Sequence, residues 1–152
     1  MLLESDAIAA IKEVLLPHAL ITTPNRYEAE LLTGETLDSS QSIASALRSI
    51  HALGPKYVVI KGGGIQGENA AKDFWFDGET LECLETEYVE TPHTHGTGCT
   101  LAAAIAANLA LGESPLNAVV KAKQYVTRAL KYSLAIGQGQ GPVGHWHPLI
   151  AD

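Results

Sequence analysis

The chain has 152 residues, of which 46% are hydrophobic and 18% charged, a composition typical of one globular domain with a sizeable core. Its formal net charge of −7 argues against broad binding to nucleic acid or to an anionic membrane surface. The two cysteines, Cys83 and Cys99, have no metal-type spacing, which favours a reducing environment over a disulfide framework. The sequence lacks a signal-peptide pattern and a membrane-spanning apolar run, so we expect a cytoplasmic protein.

The first part of the chain alternates helical and strand patterns. Apolar spacing predicts helices over residues 6–15, 25–33 and 39–53, and short apolar runs predict buried strands over residues 19–22 and 57–61. A strand, helices and a second strand in this order predict a right-handed parallel crossover with helices covering the sheet.

The second part begins with a hairpin pattern and ends in helices. Residues 72–76 and 80–84 flank Asp77-Gly78, a dipeptide that favours a β-hairpin with a type I′ turn. Helices are predicted over residues 101–111 and 115–134, followed by an irregular Gly-rich tail. No repeat or domain boundary is evident, so residues 1–152 are predicted to form one partial α/β domain, the later part of a larger doubly wound fold.

A Gly-rich turn leads directly into the Ala-rich helix predicted from residue 101. The free N–H groups and the dipole at a helix start favour an anion, and Gly96 and Gly98 would let a phosphate or an oxyanion approach the backbone. Cys99 lies at the same helix start, where the field favours a thiolate. The turn therefore predicts phosphoryl or acyl transfer, and the alternative is a structural turn with Cys99 buried as a small hydrophobic residue.

Polar residues also follow both predicted parallel strands, at the sheet edge where open α/β folds bind ligands. Glu28 could hold a Mg²⁺-bound water that Asn25 orients, but Asn25 and Glu28 also have the spacing of a helix capping box. Lys61, which precedes three glycines, could contact a nucleotide phosphate or could lie in solvent at a strand end.

Two pairs of histidines invite a metal interpretation. His93 and His95 flank Thr94 with no third ligand nearby, and His145-Trp-His147 in the tail is only a weak indication of a metal site. We therefore interpret His93 and His95 as residues that stabilise the loop. The chain also lacks the P-loop motif of many nucleotide-binding proteins.

With these motifs in place, the chain resembles a known enzyme family. Residues 94–107 are similar to the signature of the hydroxymethylpyrimidine/phosphomethylpyrimidine kinases of thiamine biosynthesis, in the ribokinase-like superfamily. Residues 22–32 resemble the Asn-x-x-Glu segment of this family, residues 58–64 its Lys-Gly-Gly strand end, and residues 137–144 its Gly-rich tail. The resemblance extends from residue 2 to residue 147 and implies a ribokinase-like, doubly wound, mainly parallel sheet with flanking helices.

The resemblance implies ATP-dependent phosphorylation of 4-amino-5-hydroxymethyl-2-methylpyrimidine and of its monophosphate. Backbone amides of Gly96, Thr97 and Gly98 would then form the anion hole for the transferred γ-phosphoryl group. Cys99 would act as the base at the position where many superfamily members have an aspartate.

The same resemblance implies ATP and Mg²⁺ as cofactors. Asn25 and Glu28 would order the Mg²⁺ and its waters, with Glu28 acting through water. Lys61 and Gly62 would lie near the nucleotide, so that positioning and charge neutralisation would drive the transfer.

Members of the family also carry an N-terminal part with the first strands, the lid and most pyrimidine contacts, and this sequence has no counterpart of it. We expect the 152-residue chain alone to be inactive and either to depend on that part or to form homo-oligomers, with no nucleic-acid or membrane partner. A pyridoxal/pyridoxine kinase and a noncatalytic nucleotide- or partner-binding protein stay open as alternatives. A hydroxyethylthiazole kinase fits the turn less well.

Overall fold

The computed structural model describes residues 5–64 and 71–149. The chain divides into two compact units, Met1–Glu85 and Thr86–Asp152. Within the described residues, the first unit contains a sheet and three helices, and the second contains two longer helices and the Gly-rich tail. A single domain over residues 1–152 stays a prediction.

The elements of the first unit follow the predicted order. Its helices are α1 (Ser5–Ala10), α2 (Arg26–Thr33) and α3 (Ser40–His51), and its strands are β1 (Ile21–Thr22), β2 (Tyr57–Ile60), β3 (Asp73–Phe76) and β4 (Leu81–Leu84). Helix α1 continues through a π-helical turn and a 3₁₀ turn to His18, so the helical pattern before Pro17 is confirmed. Strand β1 is shorter than predicted and only half-buried, because it lies at the sheet edge.

The sheet is mixed, which corrects the expectation of a mainly parallel one. Its strand order is β1-β2-β3-β4, with β1 parallel to β2 and with β3 antiparallel to both β2 and β4. The parallel β1–β2 crossover was predicted. The described part of the connection from β2 to β3 contains no crossover helix, and a strand that returns without one pairs antiparallel.

The predicted hairpin is confirmed, but its turn differs from the predicted type I′. Phe76 pairs with Leu81, so four residues connect β3 and β4 instead of two. Asp77 Oδ1 closes this turn by accepting the N–H groups of Glu79 at 2.9 Å and Thr80 at 2.7 Å.

The core of the first unit lies between α3 and one face of the sheet. Ile43, Leu47 and Ile50 recur with helical spacing on α3 and are fully buried, as predicted. They cluster with side chains from alternate positions of two strands, Val58, Ile60, Phe74 and Phe76. This packing fixes β2, and with it the residues that follow its carboxyl end.

The second unit is built on two helices, α4 (Thr97–Ala110) and α5 (Pro115–Lys131). They pack against each other, with Leu101 and Ile105 of α4 and Val119 of α5 buried. Helix α4 begins four residues before its predicted start, so Cys99 lies inside its first turn. Helix α4 is only partly buried, and its alanines at 102, 103, 106, 107 and 110 are exposed.

In the described residues, no helix combines the length and the apolar composition needed to cross a membrane.

Candidate functional site

Three predicted site residues meet where β1 and β2 end. Asn25 and Lys61 form a parallel bridge just beyond the two strands, and Lys61 N–H donates to the Pro24 carbonyl at 2.9 Å. Lys61 Nζ lies 3.8 Å from Glu28 Oε2, and the Lys61 side chain is 19% exposed. The alternative of a lysine in open solvent is therefore wrong, and the site gains a cation beside a carboxylate.

Asn25 and Glu28 form the capping box at the start of α2. Asn25 Oδ1 accepts the Glu28 N–H at 2.9 Å, and Glu28 Oε2 accepts the Asn25 N–H at 2.7 Å. The capping interpretation is confirmed. The Glu28 side chain is nevertheless 47% exposed, so its carboxylate can still accept hydrogen bonds from solvent. An exposed carboxylate oxygen with a fixed backbone is a suitable partner for a hydrated Mg²⁺, and that role stays a prediction.

Gly62 is held by the start of β3. Its N–H donates to Asp73 Oδ1 at 3.0 Å, and its carbonyl accepts the Ala71 N–H at 3.0 Å. A Cβ at Gly62 would lie 1.7 Å from the Lys72 carbonyl oxygen, so only glycine fits. The sequence pattern did not predict the role of Asp73, because the two partners are 11 residues apart and nothing local connects them.

The turn before α4 leaves that helix without a side-chain cap. Gly96 occupies the N-cap position with φ of 90°, and among the described residues no side chain accepts a hydrogen bond from the first turn of α4. Asn25, Ser39 and Ser114 cap the helices α2, α3 and α5. The carbonyl of Gly96 is fixed by Thr100, whose N–H and Oγ1 donate to it at 2.9 Å and 2.7 Å. Thr100 is a further residue that the motif analysis did not single out.

The amide groups in this turn are not equivalent. Thr97 N–H donates to the Thr94 carbonyl at 3.3 Å, so one of the three amides predicted for the anion hole is already engaged. Across the described residues, the N–H groups of Gly98 and Cys99 have no acceptor. The Cys99 side chain is exposed and forms no disulfide, which makes the buried-hydrophobe alternative wrong. The turn therefore presents two free donors beside an accessible thiol.

The histidines of the second unit have structural contacts. His93 Nδ1 accepts the Gly141 N–H at 3.0 Å, which confirms its predicted role in the loop. His147 is buried, donates from Nδ1 to the Gly144 carbonyl at 3.1 Å and packs against Tyr125. Between residues 5 and 149, apart from 65–70, no three His, Cys, Asp or Glu side chains are grouped to hold a metal ion.

The candidate residues thus form two groups, one in each unit. The first comprises Asn25, Glu28, Lys61 and Gly62, and the second comprises residues 96–99. That both groups serve one site at a common sheet edge stays a prediction.

Comparison with known proteins identifies relatives over nearly the whole sequence. The family model for phosphomethylpyrimidine kinase matches residues 1–144. A hydroxymethylpyrimidine/phosphomethylpyrimidine kinase of Synechococcus elongatus is 54% identical over 150 residues, covering 99% of this chain and 57% of the relative. A pyridoxine kinase of Bacillus subtilis is 44% identical, covering 90% of this chain and 51% of the relative.

Solved structures confirm the α/β fold with its mixed sheet and flanking helices. The pyridoxal kinase of Staphylococcus aureus, in complex with AMP-PCP and pyridoxal, matches with a TM-score of 0.92 and 35% identity. The match covers 100% of this chain and 57% of that protein, so the chain spans little more than half the length of the relatives it matches. The chain belongs to the phosphomethylpyrimidine kinase family.

Proposed function

We propose that this chain is the ATP- and phosphate-handling part of a kinase that phosphorylates 4-amino-5-hydroxymethyl-2-methylpyrimidine and its monophosphate. The observation that carries the proposal is the uncapped start of α4, with the free N–H groups of Gly98 and Cys99 beside an exposed thiol. Such a start, in a member of this family, suits a transferred phosphoryl group.

Within this proposal the second unit supplies the chemistry of transfer. The free amides of Gly98 and Cys99, with the N–H of Gly96, stabilise the charge on the transferred group, while Thr97 closes the turn through its bond to Thr94. The thiolate form of Cys99 takes the proton from the hydroxymethyl group of the acceptor as the new O–P bond forms, while the bond between the γ-phosphorus and the bridging oxygen of ATP breaks and ADP leaves. The exposure of Cys99 lets an acceptor reach it.

The first unit supplies the charged groups for the nucleotide. Lys61 offers a cationic Nζ to the phosphates of ATP, and Gly62 holds its peptide against β3 through Asp73. Glu28 offers its exposed carboxylate to water molecules on Mg²⁺, and the capping bonds with Asn25 fix its orientation. ATP bound by these residues would supply the phosphoryl group, and Mg²⁺ would neutralise its charge.

A second candidate acceptor is pyridoxal. The Staphylococcus aureus pyridoxal kinase superposes with a TM-score of 0.92, and the Bacillus subtilis pyridoxine kinase is 44% identical to this chain. The same phosphate-handling residues would serve either acceptor, so the discrimination depends on groups beyond the ones described.

The test is a coupled ADP-release assay on the 152-residue chain and on two chimaeras. One chimaera adds the unmatched part of the Synechococcus elongatus kinase, and the other adds that of the Bacillus subtilis pyridoxine kinase. With hydroxymethylpyrimidine, its monophosphate and pyridoxal as acceptors, we expect turnover only in the chimaeras, with the pyrimidines preferred in the first. Two folded chimaeras that bind ATP without turnover would support a noncatalytic role instead.

We also propose that the chain alone self-associates. Leu111 is 82% exposed, and it continues the surface of exposed alanines on α4. Sedimentation velocity of the 152-residue chain should show species larger than a monomer, and a single monomeric species would contradict this.

A further inference from the structure

The Gly-rich tail (residues 137–144) is tied to the loop that leads into α4 (residues 91–96, here the approach loop). His93 Nδ1 accepts the N–H of Gly141 at 3.0 Å, across 48 residues of sequence. Because the backbone N–H is the donor, Nδ1 is unprotonated and the neutral imidazole carries its proton on Nε2. Thr91 holds the backbone of the same residue, since its Oγ1 accepts the backbone N–H of His93 at 3.2 Å.

The backbone of His95, two residues further along the loop, pairs with the same part of the tail. His95 N–H donates to the Gly141 carbonyl at 3.2 Å, and His95 carbonyl accepts the Val143 N–H at 3.1 Å, as in a parallel bridge around Pro142. With the bond from the Gly141 N–H to the His93 side chain, the loop and the tail share three hydrogen bonds. The His93 side chain thus satisfies the Gly141 N–H, which has no partner in the backbone pairing.

The other edge of the tail is fixed to the end of α5. Leu134 N–H donates to the Pro142 carbonyl at 3.0 Å, and Gly144 N–H donates to the Ala129 carbonyl at 2.8 Å. With both edges paired, Val143 is buried and places its Cγ2 3.9 Å from the position that a Cβ on Gly96 would occupy. Residues 141–144 of the tail are thereby hydrogen-bonded on both sides and lie against the N-cap of α4 through Val143.

We infer that His93 is a positioning residue, which acts through the tail to hold the turn at residues 96–99 in the geometry needed for phosphoryl transfer. The connection has three steps. The His93 side chain holds the N–H of Gly141, and the backbone of His95 pairs with Gly141 and Val143. The Val143 side chain in turn lies beside Gly96, the N-cap of α4. The effect on turnover rests on the proposed function, whereas the link itself is a property of this chain alone. Catalysis is sensitive to such displacements of donors.

The link is tested first by residue-resolved amide hydrogen exchange on the 152-residue chain. His93→Phe keeps a ring without an acceptor, and His93→Asn keeps an acceptor close to the place of Nδ1. We expect exchange at Gly141 to be faster by about fivefold or more in His93→Phe, the factor that corresponds to one neutral hydrogen bond, and to be near the wild-type rate in His93→Asn.

His145→Phe is the matched control, because the His145 ring makes no hydrogen bond within the described part of the chain. It should leave the exchange at Gly141 unchanged. Amides in the middle of α5 serve as an internal reference. Unchanged exchange at Gly141 in His93→Phe, or equal acceleration across α5, would overturn the link.

The positioning role is tested by kinetics in the active chimaera. We expect His93→Phe to lower kcat by about fivefold or more with a nearly constant KM for ATP, and His93→Asn to restore kcat. Faster exchange at Gly141 with an unchanged kcat would show a purely structural contact and overturn the inference. If no chimaera turns over, the proposed function is contradicted, and with it the role of His93 in positioning the turn for phosphoryl transfer. The exchange experiment would still decide whether His93 holds Gly141.

Discussion

The close contact at Gly62 gives a sharp test of the first unit. Replacing Gly62 by alanine would place a Cβ 1.7 Å from the Lys72 carbonyl oxygen and 2.6 Å from its carbonyl carbon. Both are backbone atoms, so relief requires the segment entering β3 to move away from the end of β2. That movement also stretches the bond from Gly62 N–H to Asp73 Oδ1, now 3.0 Å long.

The expected cost follows from these two effects. Overpacking a filled site costs about 1–3 kcal/mol, and weakening a hydrogen bond to a carboxylate adds roughly 1.5 kcal/mol. We therefore expect Gly62→Ala to lower the free energy of unfolding by about 3 kcal/mol, which corresponds to a fall in Tm of about 6–12 °C for a chain of this size.

Gly63→Ala is the matched control one residue along the chain. Gly63 is exposed, and a Cβ there would have no atom of the described residues within 4 Å. This substitution should leave the stability unchanged or raise it by up to about 1 kcal/mol, since alanine restricts the unfolded chain. Both variants can be followed by urea unfolding with tryptophan fluorescence, because Trp75 of β3, three residues after Lys72, is buried.

A Gly62→Ala protein as stable as Gly63→Ala would refute this steric argument. If such a stable variant lost only its affinity for ATP, the glycine would serve a bound nucleotide instead of the packing of β2 against β3. The two explanations of the same residue are thus separated by one pair of variants.

Three further predictions concern single carboxylates and the thiol. Cys99→Ala should lower kcat of the active chimaera by about 100-fold or more with little change in the KM for ATP, and it should leave Tm unchanged because the side chain is exposed. Glu28→Gln keeps an acceptor for the Asn25 N–H, so Tm should hold while the Mg²⁺ concentration for half-maximal activity rises. Hydrogen bonds from the Leu37 N–H and then from Arg26 hold the pKa of Glu30 below its ordinary value of 4.5. The ionised carboxylate therefore stabilises the folded chain fully above that pH, and this stabilisation is lost as the pH falls through the lowered pKa. Urea unfolding between about pH 6 and pH 3 should therefore show a shallower loss of stability in Glu30→Gln than in the wild type.

Each of these predictions has a clear contrary result. Full turnover of Cys99→Ala would reduce the thiol to a surface group. A drop in Tm for Glu28→Gln with normal Mg²⁺ dependence would mean that the carboxylate only caps α2 and does not act on Mg²⁺. Parallel pH profiles for Glu30→Gln and the wild type would mean that the bonds from Leu37 and Arg26 do not favour the ionised form.

Local patterns in the sequence predicted much of the structure. The start of α2 was recognisable because Asn25 and Glu28 are three residues apart, and a capping box needs nothing beyond that segment. The buried face of α3 was equally visible, because helical periodicity places Ile43, Leu47 and Ile50 on one side. The signature around Cys99 indicated the family for the same reason: its residues are contiguous, so the sequence alone displays them.

What only the tertiary structure decided are pairings between distant segments. The mixed sheet depends on β3 returning beside β2, and the hold on Gly62 depends on Asp73, 11 residues away. The contact of His93 with Gly141 spans 48 residues. Such bonds leave no periodic trace in the sequence, because each partner is satisfied by whichever segment the folded chain brings to it. The sequence by itself therefore determined the cap of α2, the core face of α3 and the family, and the fold decided which backbone N–H groups at the start of α4 lack an acceptor among the described residues.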